Sequence, residues 1–396
     1  MKRSFLSFLD LIAYGLSVLF VFDRLLKLVA VILFFRRRSP PRPGSWPTIT
    51  LLQPITRGSA ALIYSLRKRA AIDYPVIIQH LFICDSHDTT SQSTVYSFMN
   101  EFPFIQAELI LVDVPDTEIA SKIRKLQTAL PKATGEILCF MDDDVSPRQD
   151  TLRMLVPYLN QPHVGSAFGL PCYTNWHSPW SSFMSGLVNA NMLLTFVALS
   201  YLTNPFRITG HIVVFYRNIF EKVGRLDGLE QHIDDDFELA RRLRSHGLRS
   251  IQTPLIYDID NDLPSKKAFD AQIKRWFVLP RQAMMPSLSA WERCVAFISS
   301  CTLPIPSIIA LMAVLTKRRA SLKSLVASLS IFAIVYAICE SLFLKGHTPF
   351  FRWPLLLLGA VITPIQIFMA LVSNNEIEWR GQRMRVNRNG KMEVMK

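Results

Sequence analysis

The chain has 396 residues, half of them hydrophobic, and a formal net charge of +13, so it is too long and too apolar for one ordinary soluble domain. Six cysteines follow no metal-site spacing, and the basic surplus accompanies no nucleic-acid-binding motif. That surplus suits an anionic membrane face or a phosphate-bearing ligand, and nucleic acid is not expected as a partner.

Residues 4–35 are apolar with a few charges and end at Arg36-Arg37-Arg38, so segment 1–38 reads as an N-terminal membrane helix. No small-residue cleavage site follows it, which argues against a cleaved signal. Ser39-Pro40-Pro41-Arg42-Pro43-Gly44 reads as a linker. Residues 46–290 then have the texture of a mixed globular domain. Strands expected over 48–55, 76–84, 107–112 and 136–141 alternate with helices expected over 59–70, 92–101 and 119–130. This rhythm implies an α/β fold, a mainly parallel sheet with helices on both faces. Ligands in such sheets bind beyond the carboxyl ends of the strands. Cys84 and Cys139 fall in these strands as small buried apolar residues, which suits a domain facing a reducing cytoplasm.

Two acidic clusters stand at strand ends: Asp85-Ser86-His87-Asp88 and Asp142-Asp143-Asp144. Beyond a strand, Asp142 and Asp144 can point the same way. Two such carboxylates suffice for Mg²⁺, which takes one or two carboxylates and completes its shell with substrate phosphates and water. A solvated acidic turn ahead of a helix near Pro147 accounts for the same three residues equally well. Residues 183–206 are apolar but carry Asn189, Asn191 and Asn204, the pattern of a core helix or of an element at the membrane surface.

Asp234-Asp235-Asp236 opens a short helix expected over 237–244 and stopped by Gly247. One acid would suffice as a cap, and the others suit the helix dipole. A carboxylate held there stays ionised near neutral pH and can take a proton from a hydroxyl. In Gln272-Ile273-Lys274-Arg275-Trp276, a helix brings Gln272, Arg275 and Trp276 to one face. Arg275 can clamp a diphosphate and Trp276 can wall a sugar or a lipid head group. A basic amphipathic segment with an interfacial Trp is the plainer reading of this stretch alone. Three long apolar runs, 294–315, 325–344 and 354–373, fall in a C-terminal membrane region 291–374, followed by a cytosolic tail 375–396. The basic clusters at 36–38, 317–323 and 380–391 would all be cytoplasmic by the positive-inside rule, which asks 294–315, broken at Pro304 and Pro306, to re-enter rather than cross.

In order, Asp142-x-Asp144, Asp235-Asp236 and Gln272-x-x-Arg275-Trp276 resemble the D, D, D, QxxRW series of family 2-type processive and lipid-linked glycosyltransferases, and above all the ceramide glucosyltransferases of family 21. Leu51-Leu52-Gln53-Pro54-Ile55-Thr56-Arg57-Gly58 resembles that family's opening strand. Asp73-Tyr74-Pro75, Gly169-Leu170-Pro171 and Ile377-Glu378-Trp379-Arg380-Gly381 with Arg385 resemble further motifs. Ser121 and Lys125 stand where the family carries Asn around its Lys, and Met384 where it usually carries Tyr.

The resemblance implies a GT-A nucleotide-sugar domain on membrane helices. It implies transfer of a hexose, glucose, from a UDP-sugar to the primary hydroxyl of a membrane lipid, ceramide, with inversion. Diacylglycerol or a hopanoid lipid is the alternative acceptor; a processive polysaccharide synthase and a non-catalytic membrane scaffold are the competing functions. Carried over by position, Asp88 or Asp85 would lie near the nucleotide base, with Pro54, Lys122, Asp143 and Asp235 also at the donor. Asp142 and Asp144 would hold Mg²⁺ or Mn²⁺, and Asp236 would be the catalytic base. Gln272, Arg275 and Trp276 would hold the diphosphate and the acceptor region.

Overall fold

The run Ile137–Met141 is buried at every position, and so is Ile49–Pro54, because both are inner strands covered on two faces. The computed structural model describes residues 2–56, 62–115, 119–346, 348–379, 382–388 and 390–395, with side chains from residue 8 onward. Arg57 and Gly58 of the opening motif, the start of the helix expected over 59–70, and Arg380 and Gly381 lie outside them.

The strands are β1 (Ile49–Pro54), β2 (Ile78–Asp85), β3 (Gln106–Val112), β4 (Ile137–Met141), β5 (Val145–Ser146), β6 (Val164–Tyr173), β7 (Ile212–Tyr216) and β8 (Arg249–Ile259). They form one eight-stranded sheet in the order β3-β2-β1-β4-β7-β6-β8-β5. The half β3-β2-β1-β4 is parallel throughout, and β6 pairs parallel with β8. Strand β7 lies antiparallel between β4 and β6 and the short β5 antiparallel on β8, so the mainly parallel expectation holds with one reversed strand at the centre and one at the edge. Alternation along β4 splits the core: Ile137, Cys139 and Met141 enter one cluster, Leu138 and Phe140 the other.

The helices in chain order are α1 (Lys2–Phe35), α2 (Leu62–Ala70), α3 (Thr89–Glu101), α4 (Ser121–Ala129), α5 (Thr151–Leu159), α6 (Pro179–Asn191), α7 (Arg217–Lys222), α8 (Asp235–Ser245), α9 (Lys266–Leu279), α10 (Met285–Ser287), α11 (Ala290–Ser300), α12 (Ile305–Thr316), α13 (Arg319–Cys339) and α14 (Trp353–Val372). Local chemistry sets several starts. Ser178 caps α6 ahead of Pro179, Ser265 caps α9, and Ser289 with Glu292 forms a capping box on α11. Helix α6 continues as a wide turn over Met192–Val197 and is a core helix: Asn189, buried, spends its amide on the backbone of Tyr173 in both directions.

Among the described residues two stretches, Arg319–Leu344 and Phe350–Val372, are long and apolar enough to cross a membrane; α11 and α12, bent by 48° at their break, would make a third if the pair is one span. Helices α1 and α13 run parallel. Asp10 meets Arg318, Ser17 meets Ser324 and Ser328, and Phe35 stacks on Phe343. The charges inside α1 are used at the break between α11 and α12, where Lys27 donates to the Ser299 carbonyl and Arg24 to Thr302. The basic cluster 317–323, expected beside the other two, instead lies at the far end of this layer from Arg36–Arg38. About 25 residues, roughly 38 Å of helix, separate the two ends. The Asp10 carboxylate against Arg318 lowers the cost of that placement.

The C-terminal segment is more than a tail. Strands β9 (Glu376–Trp379), β10 (Gln382–Val386) and β11 (Met392–Val394) form an antiparallel sheet. Its Ile377, Met384, Val386 and Met392 pack on Val278 and Leu279 at the end of α9.

Candidate active site

Three chain segments meet at the carboxyl end of β4. The Asp142 amide donates to the His211 carbonyl at 3.0 Å, which ties the acidic turn to the start of β7. From α4, Lys122 places its Nζ 2.9 Å from Asp142 and 3.3 Å from Asp235. One ammonium thus joins the first acidic cluster to the second. Although burial opposes it, the carboxylates Asp142, Asp235 and Asp236 hold the Lys122 ammonium well above its usual range.

The three acids after β4 do different things. Burial pushes the Asp142 carboxyl up to about 6, with Lys122 pulling the other way. Asp143 turns back and accepts from the Thr56 amide at 2.7 Å, just past Pro54 and the end of β1. Asp144 keeps a buried oxygen, Oδ1, without a hydrogen-bond partner among the described residues. Burial first, then Asp143 and Asp142, push its carboxyl up to about 8. Under the turn sits Arg69 of α2, almost fully buried. It donates to the carbonyls of Asp142 (2.5 Å) and Val145 (3.3 Å) and to Gln53 (2.8 Å). Burial lowers the Arg69 guanidinium to about 10, and the three acids above it resist that shift.

An orphaned carboxylate oxygen beside two further acids is a seat for an oxygen-seeking cation. No group of three His, Cys, Asp or Glu side chains is disposed to hold a metal among the described residues. Asp142 and Asp144 would supply two ligands, and the rest of the shell would come from phosphate oxygens and water.

Helix α8 begins earlier than expected, at Asp235, so Asp235 and Asp236 occupy its first turn and Asp234 the cap position. Asp234 faces Arg207 at 3.4 Å. The Asp236 carboxylate accepts from the Gly210 amide at 3.1 Å. Burial raises the Asp236 carboxyl, against Lys122 and Arg207. A side chain at Gly210 is excluded, since its first carbon would stand 1.7 Å from Asp236 Oδ1. Next in the chain, His211 lies 3.4 Å from the buried Tyr257 hydroxyl, and burial drops its imidazole to about 3, so it is neutral.

On α9, Arg275 donates to Gln272 at 2.9 Å and lies over the Trp379 ring of β9, 4.2 Å from its centre. Trp276 meets Tyr173 edge to face with centroids 6.4 Å apart. Tyr173, at the end of β6, links the two halves of the site. Burial raises its phenol, Asp144 and Asp142 push the same way, and Arg275 and Arg207 oppose them.

The structure thus brings Lys122, Asp142, Asp235 and Asp236 together, with Asp143, Asp144, Gln272, Arg275 and Trp276 around them. Asp88 stands apart in role, capping α3 by accepting from the Ser91 amide at 3.1 Å. Asp85 is buried at the end of β2 and accepts from the His87 amide at 2.9 Å. Arg69, Arg207, Gly210, Tyr173 and the pairing of Trp379 with Arg275 are additions of the structure. Only Trp379 sat in a motif visible beforehand.

The profile of the family described as Glycosyl transferase family 21 matches residues 16–392. Among solved structures the chain is similar to the mannosyltransferase PcManGT from Pyrobaculum calidifontis in complex with GDP-Man and Mn²⁺, at 20% identity, 84% of this chain, 99% of that one and a TM-score of 0.51. It is also similar to GalNAc-T7 with UDP, GalNAc and Mn²⁺ (12% identity, 68% and 60% covered, TM-score 0.41) and to S. aureus TarS 1–349 (13%, 88% and 99%, 0.38). No curated protein matches. The likeness to the first of these is one of fold, and the fold is GT-A.

Proposed function

The chain belongs to glycosyl transferase family 21, a glycosyltransferase acting on a nucleotide sugar, and from that premise we propose that it transfers glucose from UDP-glucose to the primary hydroxyl of a membrane lipid, ceramide, with inversion. The observation that carries this reading is the Lys122 bridge. It collects Asp142, Asp235 and Asp236 at the end of β4.

In this reading Asp236 is the catalytic base. Its carboxylate, aimed by the Gly210 amide, takes the proton of the acceptor hydroxyl. The acceptor oxygen then bonds to the anomeric carbon, and the bond from that carbon to the diphosphate oxygen breaks on the opposite face. Arg275, steadied by Gln272 and Trp379, neutralises the departing diphosphate, where charge builds in the transition state. Asp142 and Asp144 would hold Mg²⁺ or Mn²⁺, which supplies Lewis-acid charge stabilisation to the same diphosphate when bound. Lys122 keeps Asp142 and Asp235 charged and in register. Pro54, Asp85, Asp88 and Asp143 line the strand ends where the nucleotide would lie. Trp276 walls the acceptor side.

Residues 46–290 form the catalytic unit facing the cytoplasm, with 1–38 and 291–374 its membrane parts. Support for a lipid acceptor comes from the two apolar helices that adjoin this unit.

The test is an assay of purified protein in nanodiscs with UDP-glucose, Mg²⁺ or Mn²⁺, and ceramide or diacylglycerol, read by mass spectrometry of the lipid. Hexosyl-ceramide supports the reading. Glycosylated diacylglycerol or a hexose polymer instead would replace the acceptor, and no turnover with no UDP binding would defeat the enzyme assignment.

A further inference from the structure

Helix α14 has the length and apolarity of a membrane span, yet both of its ends are tied to the sheet-bearing unit. Just before its first residue, Arg352 donates at 2.5 Å to the carbonyl of His177, four residues past β6. The stretch leading into it is held as well, because Arg148, four residues past Asp144, donates to the Leu344 carbonyl at 2.6 Å. At its other end, Arg281 just past α9 donates to the Ser373 carbonyl at 2.9 Å and to Asn375 Oδ1 at 2.6 Å. The strands that follow pack on α9 itself.

A helix of this length extends about 30 Å, the thickness of the hydrocarbon core. If it crossed, one end would stand a bilayer away from the unit that in fact grips both. Its sides agree. Leu356, Thr363 and Ala370, seven residues apart, are the buried positions: Leu356 packs against Phe20, Ile309 and Phe332 of the helical layer and lies beside Gly186 of α6, and Ala370 enters the main core. On the opposite side Leu358, Ile362, Ile365, Met369 and Val372 are exposed in a single line, with Phe368 beside them. That line runs the full length of the helix, and Phe350, Phe351 and Arg352 at one end and Lys274 and Arg281 at the other flank it with aromatic and basic side chains.

The geometry points to α14 as an in-plane helix: it lies along the catalytic unit, does not cross, and presents its exposed line to the acyl chains of one leaflet. The bilayer is the occupant of this face because the face continues the apolar surface of α12, where Leu311, Val314 and Leu315 are also exposed. Contact between the two helices is direct, through Ser307 donating to the Val361 carbonyl at 2.6 Å.

Membrane sidedness decides it. In the full chain, the exposed Cys294 and Cys301 are replaced by serine; the other cysteines are buried. Single cysteines are then placed by Lys345→Cys before α14, Arg388→Cys after it and Glu221→Cys on the catalytic unit, all exposed positions. A membrane-impermeant maleimide is added to sealed vesicles of one orientation, before and after detergent. All three sites are expected to share one behaviour, labelled together or protected together until detergent. Labelling of Lys345→Cys and Arg388→Cys from opposite faces would overturn the inference. The readout needs no transfer activity, so it stands or falls apart from the acceptor assignment.

Discussion

The guanidinium of Arg275 lies over the indole of Trp379, 4.2 Å from the ring centre, although one residue belongs to a helix and the other to a strand outside the main sheet. A stacked indole fixes the plane of a guanidinium without using any of its donors. Trp379→Ala is therefore expected to cut kcat roughly 10-fold, the scale of a desolvated cation–π contact, with little change in the KM for donor. Trp379→Phe should recover most of the loss. Equal losses in both variants would show that the ring does not position Arg275.

Asp236→Asn should keep donor binding and lower transfer by about 10²- to 10⁴-fold, the range for a positioned base. Gly210→Ala should fall in a similar range, because the added carbon has to push the Asp236 carboxylate away. Lipid product by mass spectrometry and donor binding by calorimetry check both. Transfer near the parent rate in Asp236→Asn would remove the base assignment.

The buried acids make a prediction about pH. Burial raises Asp142 and Asp235 to about 6 and Asp144 to about 8, above the unfolded carboxyl value near 4. The folded donor-free chain therefore holds protons that the unfolded chain has released, and folding is favoured at the low end of this window. Thermal unfolding in chelator should show stability falling as pH rises from about 4 to about 8. Asp144→Asn cannot charge and should flatten the upper part of that slope while weakening Mn²⁺ binding. An unchanged slope between about pH 6 and 8 in that variant would contradict the account.

Arg69 is a fourth point of attack. Its fork reaches two carbonyls and Gln53 at once, which a lysine ammonium cannot reproduce. Arg69→Lys is expected to lower the unfolding midpoint and to weaken donor binding together, because the acidic turn loses its floor. Breaking one side of such a buried charged network costs about 3–5 kcal/mol. A folded variant with normal donor affinity would show that the turn holds itself.

Much of this was legible in the residues. The parallel half of the sheet follows from short apolar runs, β2 and β4 among them ending in acids, since β1, β2 and β4 carry enough hydrophobicity to be read one by one. The acids themselves stood out because a basic chain has little other reason to gather them. Hidden from the sequence was what pairs with what. Arg207 sits in a loop with no periodicity, and Gly210 looks like any turn glycine until Asp236 is seen above it. The pairing at 317–323 was not legible, because counting basic residues does not register that Arg318 meets Asp10. The tail read as a tail because strands β9 to β11 are short and alternate weakly.

Synthesis of the polypeptide from its N-terminus gives that tail a temporal meaning. Every acid of the site, Lys122 and the QxxRW helix are all made before β9 to β11. Until those strands dock on Val278 and Leu279, Arg275 lacks its stacking partner, and the loop before Asp234 lacks the Met392 amide that donates to the Gln231 carbonyl. A nascent or truncated chain would thus carry a complete set of acids and an unsteadied arginine. In this arrangement strands made after every acid of the site are the ones that complete it.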